Sequence, residues 1–138
     1  MRKKRQAGFT LIELLVVLTI LAMLAALVVP RVFRNLEKAK VNTAKAQIAA
    51  LESAIGAYRL DVGSFPTTDQ GLQALRLRPS GVDNWDGPYL PKDVPMDPWG
   101  HPYVYRCPSE HGDYEIISYG ADGREGGEGI DADIVSWK

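Results

Sequence analysis

Cysteine and histidine are scarce in this chain: Cys107 is the only thiol in 138 residues, and His101 and His111 are the only imidazoles. A single cysteine excludes an intrachain disulfide, so the shape of the C-terminal part must be held by something other than a covalent bridge. Separations of 6 and 4 residues among His101, Cys107 and His111 match no common zinc pattern, and no ordered base accompanies a nucleophile. Cys107 therefore reads as a small strand residue, the two histidines as turn or surface residues, and the chain as something other than an enzyme. Charge is absent where it matters most. From Phe9 to Val29 the sequence FTLIELLVVLTILAMLAALVV holds one ionisable side chain, Glu13, in 21 residues, and neither glycine nor proline occurs in it.

A helix of that length spans about 30 Å, the thickness of a bilayer's hydrocarbon core. The run is a membrane span. Arg2, Lys3, Lys4 and Arg5 precede it, which leaves 12 of the 16 basic residues against 17 acidic ones in the rest of the chain. By the positive-inside rule the basic leader stays in the cytoplasm and the acidic body is exported. Nothing in this distribution suggests a nucleic-acid surface. An ordinary secretory signal would have a shorter apolar region and a cleavage site beyond it, but Ala22, Ala25 and Ala26 lie inside the run. Glu13 is the informative interruption. A carboxylate costs about 2.5–3.5 kcal/mol at a bilayer centre and less near the interface, so its presence points to function.

Beyond Pro30, residues Val41, Ala44, Ile48, Leu51, Ile55, Tyr58 and Val62 recur at alternating spacings of three and four, an apolar stripe at helical period. Lys38, Lys45, Glu52 and Arg59 occupy the other face. An amphipathic helix is expected from about Arg31 to Leu60, its stripe serving as core for the C-terminal sheet, with Pro30 kinking or locally melting the chain at the membrane boundary. A short helix over Asp69 to Leu77, N-capped by Thr68, should precede a Pro- and Gly-studded loop from Pro79 to Pro102. Three strands are expected at Tyr103–Cys107, Tyr114–Ser118 and Ile134–Trp137, the first two joined as a hairpin through residues 108–113. The predicted architecture is α+β: a long N-terminal helix, membrane span plus amphipathic half, packed on a small three-stranded antiparallel sheet.

Between the second and third strands, residues 120–133 hold five glycines and five acids, GADGREGGEGIDAD. Glycine-rich backbone can turn carbonyls inward, and carboxylates beside them are the hard oxygen ligands that Ca²⁺ takes. The spacing is not that of an EF-hand, and composition alone leaves a cation loop and a plain acidic connection equally open.

The string Gly8-Phe9-Thr10-Leu11-Ile12-Glu13-Leu14-Leu15-Val16 resembles the class III signal of type IV pilins and pseudopilins. The resemblance implies cleavage of the Gly8–Phe9 bond by a prepilin peptidase, N-methylation of Phe9, and pairing of Glu13 with the amine of a neighbouring subunit's Phe9 during assembly. Such pairing would offset two charges that are each costly in an apolar core. The chain then divides into a cleaved basic leader, residues 1–8, a transmembrane and polymerisation helix, residues 9–29, and a body, residues 30–138.

The segments Asp97-Pro98-Trp99-Gly100-His101-Pro102-Tyr103, Ser118-Tyr119-Gly120-Ala121-Asp122-Gly123 and Asp133-Ile134 through Trp137 are similar to those of the major pseudopilins of type II secretion systems. Membership of that family implies a self-assembling helical homopolymer anchored in the bacterial inner membrane by one pass. Its body lies in the periplasm, and its partners are minor pseudopilins and an inner-membrane assembly platform protein. The fibre helps to export folded proteins across the outer membrane. The family further implies a Ca²⁺ ion in the acidic loop, with Asp122 and Asp133 as side-chain ligands, the Tyr119 carbonyl as a backbone ligand and Asp131 as a further one. A type IV pilin or competence-type pseudopilin would share the N-terminus without needing the calcium loop.

Glycine at position 8 lets a protease approach the backbone closely. Gly8→Val should leave the leader attached and stop assembly while membrane insertion continues. Mass spectrometry of the wild-type protein should find a methylated N-terminus at Phe9; an N-terminus within or after the span would refute the pilin-type reading.

Overall fold

The computed structural model describes residues 8–138; the basic residues of the expected leader, 2–5, lie outside them. The described residues divide into two compact units between Leu36 and Glu37. One helix, α1, Leu11–Val62, contributes to both.

Helix α1 begins where its sequence supplies a cap. The Thr10 hydroxyl accepts a hydrogen bond from the Glu13 backbone N–H (3.2 Å), and Leu14 N–H closes the first turn on the Thr10 carbonyl. Thr10 thus satisfies one of the donors that every helix N-terminus leaves free, and Glu13 places a carboxylate in the first turn, where the helix dipole favours it. The expected melting at Pro30 does not occur. Pro30 lies inside the helix, because one missing N–H removes a single bond from a ladder that continues on both sides. The helix also runs past the expected Leu60. It stops at Gly63, whose φ of 90° and N–H bond to the Arg59 carbonyl (2.7 Å) form a left-handed C-terminal cap.

In the first unit the apolar side chains from Leu11 to Leu36 stand exposed, Leu27 at 71% and Phe33 at 60%. In the second unit the apolar stripe is core. Ala44, Ile48, Leu51, Ile55 and Tyr58 are buried, as is Ala54, and Val41 and Val62 pack at the margin of the same cluster. Tyr103, Tyr105, Ile116 and Ile134 from the sheet region and Leu72, Ala74, Leu75 and Leu90 from the connecting segments complete it.

The expected helix at residues 69–77 is only a 3-10 turn, Leu72–Leu75, and Thr68 does not cap it. Instead Thr67 and Gln70 bond reciprocally, backbone N–H of each to side-chain oxygen of the other, and make the turn before it. The Thr68 hydroxyl is committed elsewhere: it donates to the Cys107 carbonyl and accepts from the Cys107 N–H. The proline-rich stretch is tied down by its aromatics. Trp85 Nε1–H donates to the Ala74 carbonyl (2.7 Å), Tyr89 O–H donates to Asp61, and the two rings meet edge-on at 5.6 Å.

The sheet is antiparallel in the order β1 (Val104–Arg106), β2 (Glu115–Ser118), β3 (Ile134–Val135). Each strand is shorter than the alternating pattern suggested. Thr68 takes over the backbone of Cys107 at the end of β1, so Cys107 lies just beyond the strand. Past β3, the Ser136 N–H donates to the Ile116 carbonyl while the Ser136 hydroxyl accepts from the Ile116 N–H, so a side chain extends the ladder.

Central strand β2 is buried throughout, including Glu115 and Ser118. The Glu115 carboxylate meets Arg106 Nη1 at 3.1 Å, the Ser109 hydroxyl at 2.8 Å and His111 Nδ1 at 2.9 Å. The His111 ring stacks flat on Trp137, 3.8 Å between centroids, which pins the C-terminus to the hairpin. His111 is therefore a structural contact and not merely a surface loop residue. Burial pushes the Glu115 carboxyl up, but hydrogen bonds from His111, Ser109 and Arg106 outweigh it and hold the group below the ordinary carboxylate value. A depressed folded-state pKa stabilises the fold above the unfolded value, about 4.3, and that contribution is lost as pH falls through the folded one. The melting temperature of the wild-type protein should therefore drop more steeply below about pH 4.3 than that of Glu115→Gln. Equal slopes would show that the buried carboxylate is not coupled to folding.

Candidate functional site

Two regions carry the candidate functional residues, each within its own unit. At the N-terminus, Gly8 is exposed and a Cβ added there would meet nothing within 4 Å, so the position is open to an approaching protein. Phe9 is 89% exposed, and Glu13 is exposed one turn further on. Neither contributes to the body's core.

The second region is the acidic loop. It leaves β2 at Ser118 and returns through a 3-10 turn, Gly129–Asp131, into β3. The ends of the loop are drawn together by the Ala121 N–H on the Ile130 carbonyl (3.0 Å), and its middle by the Gly126 N–H on Asp133 Oδ2 (3.0 Å). Glycine is required at two close approaches. At Gly120, φ is 71° and a Cβ would lie 2.8 Å from the Ile130 carbonyl oxygen and 2.9 Å from that of Ala132. At Gly127, φ is 99° and a Cβ would lie 2.6 Å from the Asp131 carbonyl oxygen. These glycines let backbone carbonyls crowd inside the loop.

The four expected ligand residues are not gathered into a carboxylate cage. Among the described residues no three His, Cys, Asp or Glu side chains converge on a point. Asp122 is exposed and its Oδ1 accepts the Arg124 N–H, while Asp131 is half-buried beside Gly127. The Tyr119 hydroxyl accepts from Arg106 Nη2, which turns that side chain out of the loop and leaves only its carbonyl for a ligand role. Asp133 is different. Its Oδ1 is buried without any hydrogen-bond partner. A buried carboxylate oxygen left unpaired costs about 1–3 kcal/mol or more, and a hard cation is the group that would satisfy it. The residues fit Ca²⁺, provided that most ligands are carbonyl oxygens.

Sequence reasoning passed over the residues beneath this loop. Asp97, with 4% of its surface exposed, accepts the backbone N–H groups of Trp99 (3.1 Å) and His101 (2.8 Å) on Oδ1 and the Ser118 hydroxyl (2.7 Å) on Oδ2. The signal was present in Asp-Pro-Trp-Gly, since an aspartate side chain readily bonds the backbone two residues on. His101 is correspondingly more than a turn residue, because its Nδ1 sits 3.3 Å from the Gly120 carbonyl.

A small α+β body built on a helix whose N-terminal half is apolar and exposed defines a pilin-like, helix-anchored filament subunit. The family model for the prokaryotic N-terminal methylation motif matches residues 3–29, and that for type II secretion system protein G matches residues 31–137. Among relatives, the type II secretion system core protein G of Pseudomonas aeruginosa is 47% identical over 99% of both chains. That of Vibrio cholerae is 46% identical over 99% of this chain and 94% of its own. The crystal structure of the major pseudopilin of the type 2 secretion system of enterohaemorrhagic Escherichia coli superposes with a TM-score of 0.65 at 37% identity, covering 75% of this chain and 90% of that one. The chain belongs to the protein G family of type II secretion systems, the major pseudopilins, and its function is that of a structural subunit of the pseudopilus.

With its left-handed φ of 71° and carbonyl oxygens 2.8 and 2.9 Å from where a Cβ would sit, Gly120 tolerates no side chain unless the loop moves. Gly120→Ala should lower stability by about 1–3 kcal/mol, read by thermal unfolding. An unchanged melting temperature would mean that the loop's first turn is not fixed.

Proposed function

We propose that the chain is anchored in the inner membrane by its N-terminal helix, carries its body in the periplasm, and polymerises through that helix into the fibre that drives export of folded proteins. The observation that supports this reading is the apolar surface from Phe9 to Leu36, exposed along the first unit. Such a surface is stable only when covered, by lipid before assembly and by neighbouring copies afterwards. The basic leader fits retention on the cytoplasmic side. Processing at Gly8–Phe9 by a prepilin peptidase, methylation of Phe9, and contact with minor pseudopilins and the assembly platform complete the proposal. Glu13 then has two roles: its backbone helps to close the helix cap on Thr10, and its carboxylate pairs with the Phe9 amine of the next subunit.

In the body, Asp122, Asp131, Asp133 and the Tyr119 carbonyl are the proposed holders of Ca²⁺, with Asp133 the residue whose unpaired oxygen supports the assignment. When bound, the ion would neutralise the loop's carboxylates and link its two ends in place of a covalent bridge. Asp133 also fixes the loop from within by accepting the Gly126 N–H.

The assembly claim rests on the carboxylate. Glu13→Leu removes a charge from the span, so it should reach the membrane at wild-type levels yet give no fibres by electron microscopy and no exoprotein secretion. Fibres of normal yield would eliminate the pairing. For the loop, the full chain in detergent should melt higher with Ca²⁺ than with chelator, by an amount equivalent to about 2.7 kcal/mol at a hundredfold excess over Kd. Asp133→Ala should abolish most of that difference. Indifference of the wild-type protein to chelation would refute the calcium reading.

A further inference from the structure

We propose that Asp97 is the positioning residue of the acidic loop: its buried carboxylate fixes the loop's first turn and thereby sets the oxygen donors available to a cation. The role in fixing the turn stands by itself, whereas the effect on a cation rests on the calcium reading above.

Asp97 sits at the start of the turn that precedes β1, about as buried as the apolar core. Among the described residues, the basic group that comes near it is the His101 ring, with Nδ1 4.0 Å from Oδ1. Burying a carboxylate is costly unless its oxygens are bonded. If Asp97 served only its own turn, a neutral acceptor would do the same work, because the N–H groups of Trp99 and His101 both fall on the single atom Oδ1. Oδ2 is what needs the carboxylate. It accepts the Ser118 hydroxyl, 21 residues away at the end of β2.

A hydroxyl has one proton. Because Ser118 gives it to Asp97, the Ser118 oxygen presents a lone pair to the Gly120 N–H, 3.4 Å away. The carboxylate therefore determines which way the link to the loop is polarised. A second route ends on the same residue: the backbone of His101 is held by Asp97, and its ring Nδ1 faces the Gly120 carbonyl at 3.3 Å. The ring also underlies the next glycine, since a Cβ on Gly123 would lie 3.0 Å from His101 Cε1. Both backbone groups of Gly120 are thus set from Asp97, through Ser118 on one side and His101 on the other. Gly120 is the residue that packs against the Ile130 and Ala132 carbonyls, and nearby Tyr119 and Asp122 are proposed ligands. Partners behind a ligand shell of this kind orient the ligands and tune affinity.

Asp97→Asn isolates the claim. Its amide oxygen can still accept from Trp99 and His101, so the turn persists, but its NH₂ group faces Ser118 and reverses the polarity of the link. Ser118→Ala is the second variant, which removes the link and leaves the turn intact. In the full chain in detergent, with chelator present, amide exchange at Gly120, Ala121 and Gly123 should quicken about fivefold in both variants, the effect of losing one hydrogen bond. Amides of residues 44–58 should not change. In calcium titrations the same variants should bind about tenfold more weakly than wild type. Unchanged exchange in the loop, or a uniform rise across the body, would overturn the positioning role. Faster loop exchange with wild-type calcium affinity would overturn the link to the ion alone. A wild-type protein that binds no calcium would sink the calcium reading and the effect on a cation, while the exchange data would still decide the role in fixing the turn.

Discussion

The packing of one helical stripe, Ala44 through Tyr58, under the sheet and its connecting loops is the contact on which the body depends. Strands of three, four and two residues cannot hold a sheet together in water by their own hydrogen bonds. They hold as a sheet because Tyr105, Ile116 and Ile134 pack in one cluster with the apolar stripe of the helix. Two small residues in this segment, Ala44 and Ala54, are as buried as their large neighbours and leave room for the side chains that pack over them. With one cysteine in the chain, no covalent link supplements this contact.

Three carboxylates show how environment assigns the role of one chemical group. Glu115 is buried among Arg106, Ser109 and His111 and ties the hairpin to the C-terminal Trp137 through the imidazole stack. Asp97 is buried among backbone and hydroxyl donors and organises the turn around it. Asp133 has one oxygen engaged and one buried without a partner, the pattern of a group prepared for something the chain does not itself supply. Of these three, Asp133 carries the unmet requirement, which is why the calcium proposal rests on it more than on the number of acids in the loop.

The first unit follows a different logic. Its side chains are apolar and exposed together, and in isolation in water such a surface would aggregate. On the proposed reading, that instability favours insertion into the membrane and assembly into the fibre. The same exposed residues would then meet lipid in the membrane and neighbouring helices in the pseudopilus.

The amino-acid sequence by itself determined the apolar span, the helical stripe and the three short strands, because each rests on a pattern of period or composition that is local in the chain, and its motifs at residues 8–16 and 97–137 carried the resemblance to the family. Its errors were of another kind. Thr68 looked like a helix cap, yet its hydroxyl is occupied by Cys107, 39 residues away. Pro30 was expected to kink or locally melt the chain, and no melting occurs, since the helix continues through it. Strand ends at Cys107 and Trp137 were overextended because alternation does not register where a side chain takes over a backbone partner. Tertiary structure alone decided that Asp97 lies beneath Gly120, that His111 stacks on Trp137, and that the buried Asp133 oxygen is left without a donor. Such contacts join residues far apart in the chain, and they depend on the apolar surface that the helix gives the short strands.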